Sequence, residues 1–131
     1  MQLVFDIETD GLYFDATKIW CLVAIDENDK VYSYTEDNIN EGIELLKSAD
    51  KIIGHNIIGF DIPVIKRIHG VDLSDKKLVD TLVLSRLFNP VREGNHSLKN
   101  WGFILGGKKK LEFKEFSRYS DAMLNYCMHD V

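Results

Sequence analysis

Short apolar blocks of strand length open the chain, and apolar positions at helical spacing follow them. Leu3, Val4, Phe5 and Ile7 make residues 2–8 a buried strand, Lys18 to Ile25 reads as a second, and Val31 to Thr35 as a third. The polar run Asp26-Glu27-Asn28-Asp29-Lys30 between the last two is a hairpin loop. Ile39, Ile43, Leu45 and Leu46 are spaced as on a helix, with Asp37 or Asn38 as candidate N-caps, and Lys51 to Gly54 is a short strand after it. Phe60, Val64, Ile65 and Ile68 predict a helix to His69, with Pro63 in its first turn and Gly70 as its stop.

A short strand near Leu78 and Val79 leads into a helix from about Asp80 to Phe88, for which Asp80 is the cap. Residues 89–94 read as a loop, a further short helix starts near Ser97, residues 106–110 form a second loop, and a helix runs from about Ser117 to the end. Three antiparallel strands followed by alternating helices and strands predict an α/β fold: a mixed sheet, antiparallel then parallel, flanked by helices.

The first strand carries the feature that changes this picture. Side chains alternate across a strand, so Asp6 and Glu8 share one face while Phe5 and Ile7 share the other. Two neighbouring acids on an apolar strand raise each other's cost of ionisation, and a hard divalent cation removes that cost. A solvated sheet face is the alternative for an isolated pair of this kind, but further acidic motifs follow. Asp61 stands at the positive end of the helix after Asn56, either as a ligand or as that helix's cap. Tyr126 and Asp130 are at i and i+4, one turn apart on one helix face.

Taken in order, D-x-E at Asp6 and Glu8, N-x-x-x-F-D from Asn56 to Asp61 and Y-x-x-x-D from Tyr126 to Asp130 resemble the three motifs of the DEDD superfamily. These are the DnaQ-like 3′→5′ exonucleases on an RNase H-like fold, and the chain looks most like the proofreading domain of phage-type family A DNA polymerases. The run from Asp80 to Leu87 and the segments around His96-Ser97-Leu98, Trp101-Gly102 and Leu105-Gly106 add to the resemblance, which spans nearly the whole chain. Tyr126 matches the tyrosine of the DEDDy branch; the histidine branch has its histidine where Asn125 stands.

The resemblance implies a metal-dependent exonuclease that trims single-stranded DNA 3′ ends to nucleoside monophosphates, with an exoribonuclease or a weakly active polymerase fragment as alternatives. Two divalent ions about 3.5–4 Å apart, Mg²⁺ or Mn²⁺, are implied as cofactors. In this arrangement Asp6 bridges both ions, Glu8 and Asp130 complete the water-activating site, and Asp61 holds the second ion largely through water. Tyr126 orients the attacking water; with a phenol pKa near about 10 it is a positioner rather than a base at neutral pH. Thr9, Leu12, Asn56 and Phe60 are implied to touch substrate, with Leu12 as a wedge against the terminal bases. Packing roles remain open for Leu12 and Phe60.

Bulk properties set outer bounds. At 131 residues, 45% hydrophobic and 28% charged, the chain suits one compact domain spanning 1–131. The net charge of −5 argues against a broad basic nucleic-acid surface, while metal-binding acids account for part of it. Lys108-Lys109-Lys110 is the one compact basic run, with Arg92, Lys99 and Arg118 in the same half of the sequence. No apolar run reaches membrane-spanning length, no signal peptide is apparent, and Cys21 and Cys127 read as reduced thiols, so a cytoplasmic setting is expected; the resemblance to phage-type polymerases implies the interior of a phage-infected or bacterial cell. Asp130 is the penultimate residue, which suggests truncation just after the third motif, a weakly ordered last turn, and a polymerase module or downstream fragment as partner. Trp20 and Trp101 read as packing residues.

Overall fold

A computed structural model describes residues 1–12, 14–88, 97–99 and 115–131. Its sheet contains β1 (Gln2–Thr9), β2 (Ile19–Asp26), β3 (Val31–Thr35), β4 (Lys51–Gly54) and β5 (Lys77–Asp80), in the order β3-β2-β1-β4-β5. The β1-β2 and β2-β3 pairs are antiparallel, and β1-β4 and β4-β5 are parallel. The α-helices whose bounds lie within the described residues are α1 (Ile39–Ser48), α2 (Ile62–His69), α3 (Thr81–Phe88) and α4 (Asp121–Asp130). This is the mixed α/β sheet expected from the sequence, with β1 at its centre.

The period-2 alternation of β1 divides the molecule in two. Leu3, Phe5 and Ile7 join Leu22 and Ala24 of β2 against Ile43 and Leu46 of α1 and Ile62 and Ile65 of α2 in the main core. Cys21 and Val23 face the other way and pack with Met123 and Cys127 of α4 in a smaller core. Asp6 and Glu8 are set on this second face by the same alternation, so α4 lies over the acidic side of the central strand.

The β1-β2 ladder slips once. Glu8 pairs with Cys21 but Thr9 pairs with Ile19, so Trp20 is skipped. A bulge of this kind re-aims the extra residue, and Trp20 accordingly joins the α4-side core together with its neighbour Cys21.

Two local differences from the sequence reading bear on the site. A wide π-helical turn, Ile57–Asp61, precedes α2, and the left-handed Asn56 (φ 60°) starts it. Apolar spacing does not distinguish such a turn from the first turn of an α-helix. The last helix starts at Asp121 instead of about Ser117. The Ser117 amide is tied to the Glu115 carboxylate at 3.0 Å, whereas Ser120 is extended and its hydroxyl accepts the Met123 amide at 3.2 Å as a true N-cap. The expected loops at 89–94 and 106–110, His96, Arg92, Trp101, Lys108, Lys109 and Lys110 lie outside the described residues. Among the described residues no helix is long and apolar enough to cross a membrane.

Candidate active site

Asp6 and Glu8 form the floor of the site. Glu8 is only 8% exposed, and side-chain atoms of Asp6, Glu8 and Cys127 all lie within 4.8 Å of one another. Cys127 enters because α4 lays Met123 and Cys127, at i and i+4, against β1 and β2. Its thiol is pushed well above the ordinary range by a hydrogen bond with Cys21, by burial and by the Asp6 and Glu8 carboxylates, so it is a neutral group beside the acids. Cys21 and Cys127, far apart in sequence, are brought together by the fold as free, buried thiols. The signal available beforehand was the position of Cys127, between Tyr126 and Asp130 and one turn after an apolar Met123.

Asp61 is delivered by the π turn. That turn hangs on Asp80, a carboxylate only 3% exposed that accepts four main-chain amides: Asn56 (2.8 Å), Ile58 (2.9 Å), Leu82 (2.9 Å) and Val83 (3.4 Å). The expected cap of α3 is therefore also the anchor of the second acidic motif. Gly54 and Gly59 permit the close packing. A Cβ on Gly54 would run into the Ile57 side chain and sit 3.0 Å from the Phe5 carbonyl, and one on Gly59 would sit 2.6 Å from Asn56 Oδ1.

Asp61 itself is 3% exposed and makes no side-chain cap bond to α2. Its carboxyl accepts the Ile7 amide, yet burial and the Asp6 charge, with a smaller contribution from Asp80, raise its pKa well above the carboxylate range. Its Oδ2 is buried with no hydrogen-bond partner among the described residues. A buried acid with an orphaned oxygen beside two further carboxylates is unfavourable unless it is protonated or a cation joins it. The residues present thus fit a hard divalent cation: an oxygen-rich donor set with a spare oxygen.

Asp130 lies at the end of α4, where the Val131 amide donates to the Cys127 carbonyl at 3.2 Å. Asp6 and Asp130 line one cavity of about 680 Å³, together with His55, Asn56, Thr81 and Arg86. Asp61 and Asp130 stand outside the tight Asp6-Glu8-Cys127 cluster. Tyr126 is half-buried, with its ring edge-on to Phe116 at 6.3 Å and 78°.

A second cavity of about 320 Å³ opens beside Glu8 and is lined by Ile7, Thr9, Gly11, Leu12, Phe60 and Phe116. Leu12 is 77% exposed, which rules out a core role for it. Phe60 is half-buried, packed on the main core and also facing this cavity. Thr9 is buried and donates to the Gly11 carbonyl at 2.7 Å, fixing the turn that presents Leu12. Of the four residues read as substrate contacts, Thr9, Leu12 and Phe60 meet here, while Asn56 lines the larger cavity. Phe116 escaped the sequence reading, because a lone phenylalanine in a charged segment carries no motif.

A model of the RNase_H superfamily matches residues 3–108. The chain belongs to the RNase H superfamily. Solved structures with this fold include Brucella melitensis NrnC with bound Mg²⁺, at TM-score 0.77 and 20% identity over 99% of this chain and 66% of that one. A family B DNA polymerase from the archaeon Pyrobaculum calidifontis matches at TM-score 0.69 and 16% identity, over 99% of this chain and 23% of the polymerase. The zinc-bound E. coli ExoI–ssDNA complex matches at TM-score 0.68 and 17% identity, over 98% of this chain and 37% of that one. The chain therefore spans less than two thirds of each of these structures. No curated protein matches it in sequence.

Proposed function

We propose that this chain is a DEDDy-type, metal-dependent 3′→5′ exonuclease domain that removes nucleoside monophosphates from single-stranded DNA ends, in a proofreading role beside a polymerase module. The observation that carries the reading is the buried oxygen of Asp61, without a hydrogen-bond partner among the described residues, beside the Asp6 charge on β1. Asp6 and Asp130 line the larger cavity and Glu8 the smaller one, which supports the reading. Support also comes from nuclease structures of the same fold, one holding Mg²⁺ and another single-stranded DNA.

Asp6, Glu8, Asp61 and Asp130 would hold two divalent ions, Mg²⁺ or Mn²⁺. When bound, such ions lower the pKa of water and neutralise charge on the phosphoryl group. The chain's own residues do the rest. Tyr126, one turn before Asp130 on α4, would orient the attacking water through its hydroxyl. Leu12, Phe60 and Phe116 give the terminal nucleobase an apolar cavity, which suits every base because each has a π-face. Thr9 holds the turn carrying Leu12 in place. Asp80 holds the π turn, and with it Asp61, in register with β1.

The test is to incubate 5′-labelled single-stranded DNA and RNA of one sequence with the chain, with Mg²⁺ and with chelator. DNA shortened stepwise from the 3′ end only with Mg²⁺ supports the reading. Preferential loss of RNA assigns the chain to the exoribonucleases, whose selectivity would lie around the 2′ position.

A further inference from the structure

Trp20, Phe116 and Tyr126 form a chain of contacts that nothing in the metal site requires. The bulge at Trp20 turns its indole onto the α4 side of the sheet, where it is 7% exposed and its N–H donates to the Phe116 carbonyl at 2.8 Å. That bond fixes the backbone of a residue outside regular structure, 96 positions away in sequence. The Phe116 ring meets Tyr126 edge-on at 6.3 Å, a geometry that aromatic quadrupoles favour. The same residue lines the 320 Å³ cavity beside Glu8, Thr9, Leu12 and Phe60.

We propose that Phe116 is a positioning residue coupling occupancy of the apolar cavity by the 3′-terminal nucleobase to the orientation of Tyr126, with Trp20 as its anchor. One residue is shared between the wall of the cavity and the packing of the tyrosine. A base seated in the cavity limits where the Phe116 ring can go, and the ring limits where the phenol can go. Only a terminus that carries a base then gives the water-orienting geometry, so Phe116 makes turnover depend on a group remote from the phosphodiester. This rests on the nuclease reading above.

The test uses two single-stranded DNA substrates, one with an intact 3′-terminal thymidine and one abasic at that position. Phe116→Leu should lower kcat on the intact substrate roughly 10-fold to 100-fold, the scale of a misplaced reacting group, with a smaller change in KM. On the abasic substrate the same variant should cost little, because the coupling is already lost. Phe116→Tyr should restore the rate, and Trp20→Phe, which keeps the ring and removes the N–H, should reproduce the Phe116→Leu pattern. Thymidine 5′-monophosphate should shift the Tyr126 ring resonances in the wild type and not in Phe116→Leu.

Equal losses on both substrates, an unchanged kcat, or Tyr126 resonances that shift equally in both proteins overturn the inference alone. A wild-type chain that degrades neither substrate overturns the nuclease reading and the inference with it. Should Phe116→Leu fail to fold, Trp20→Phe and the nucleotide titration of the wild type decide the matter.

Discussion

The Cys127 thiol lies 3.5 Å from the main-chain oxygen of Asp6 and 3.7 Å from its carboxylate, so the last helix is fastened to the central strand at the acid on which the site is centred. A neutral thiol has a single S–H within reach of both oxygens and adds no negative charge, whereas an aspartate there would. Cys127→Ala should therefore lower stability by about 1–2 kcal/mol through a small cavity and a lost weak donor. Chemical denaturation checks this. In the native wild type neither Cys21 nor Cys127 should react with a thiol reagent at pH 8 until the chain unfolds, because both are buried and the Cys127 pKa is raised.

Asp61 gives a pH dependence with a definite sign. Its folded-state pKa is raised above the unfolded value, so between the two the folded chain holds the extra proton. Without metal, stability should fall as pH rises from about 4 into the neutral range. Asp61→Asn should remove that slope and be more stable than wild type at pH 8 in chelator. Adding Mg²⁺ at about 100 times its dissociation constant should stabilise the wild type by about 2.7 kcal/mol and the variant by less. Thermal melts across pH, with and without Mg²⁺, measure all of this.

Asp80 should matter more than its place outside the motif acids suggests. Asp80→Ala leaves four main-chain amides without their acceptor and should cost at least about 2 kcal/mol. Its activity should drop further than stability alone explains, because the π turn carrying Asp61 loses its anchor. Activity measured well below the variant's melting temperature separates the two effects.

Strands and helices were legible because β1 alternates, β2 is one short apolar run and α1 keeps a helical period, and the acidic motifs because their spacing is local. The π turn was not legible. It depends on the left-handed Asn56 and on Asp80 reaching back 24 residues to the Asn56 amide, a contact no window of sequence contains. Cys127 and Phe116 were missed for the same reason. Each draws its role from a neighbour about a hundred positions away, Asp6 for one and Trp20 for the other. Leu12 stood open between core and surface, and its exposure after the Thr9–Gly11 turn decides for the surface.

Tyr126→Phe should lower the rate roughly 10-fold to 1000-fold, on the scale of a lost proton-handling or positioning contact, while leaving metal affinity nearly unchanged. Titration calorimetry with Mg²⁺ alongside turnover checks it; lost metal binding would mean that the tyrosine is a ligand.

The most direct measurement is turnover of a 5′-labelled single-stranded DNA by three samples: wild type with Mg²⁺, wild type in chelator, and Asp6→Ala with Mg²⁺. Wild type with Mg²⁺ should give a ladder shortened from the 3′ end, and the other two none, with Asp6→Ala at least as stable as wild type because carboxylate repulsion is relieved. A ladder from Asp6→Ala at the wild-type rate, or no ladder from folded wild type with Mg²⁺, would contradict a metal-dependent nuclease built on these acids.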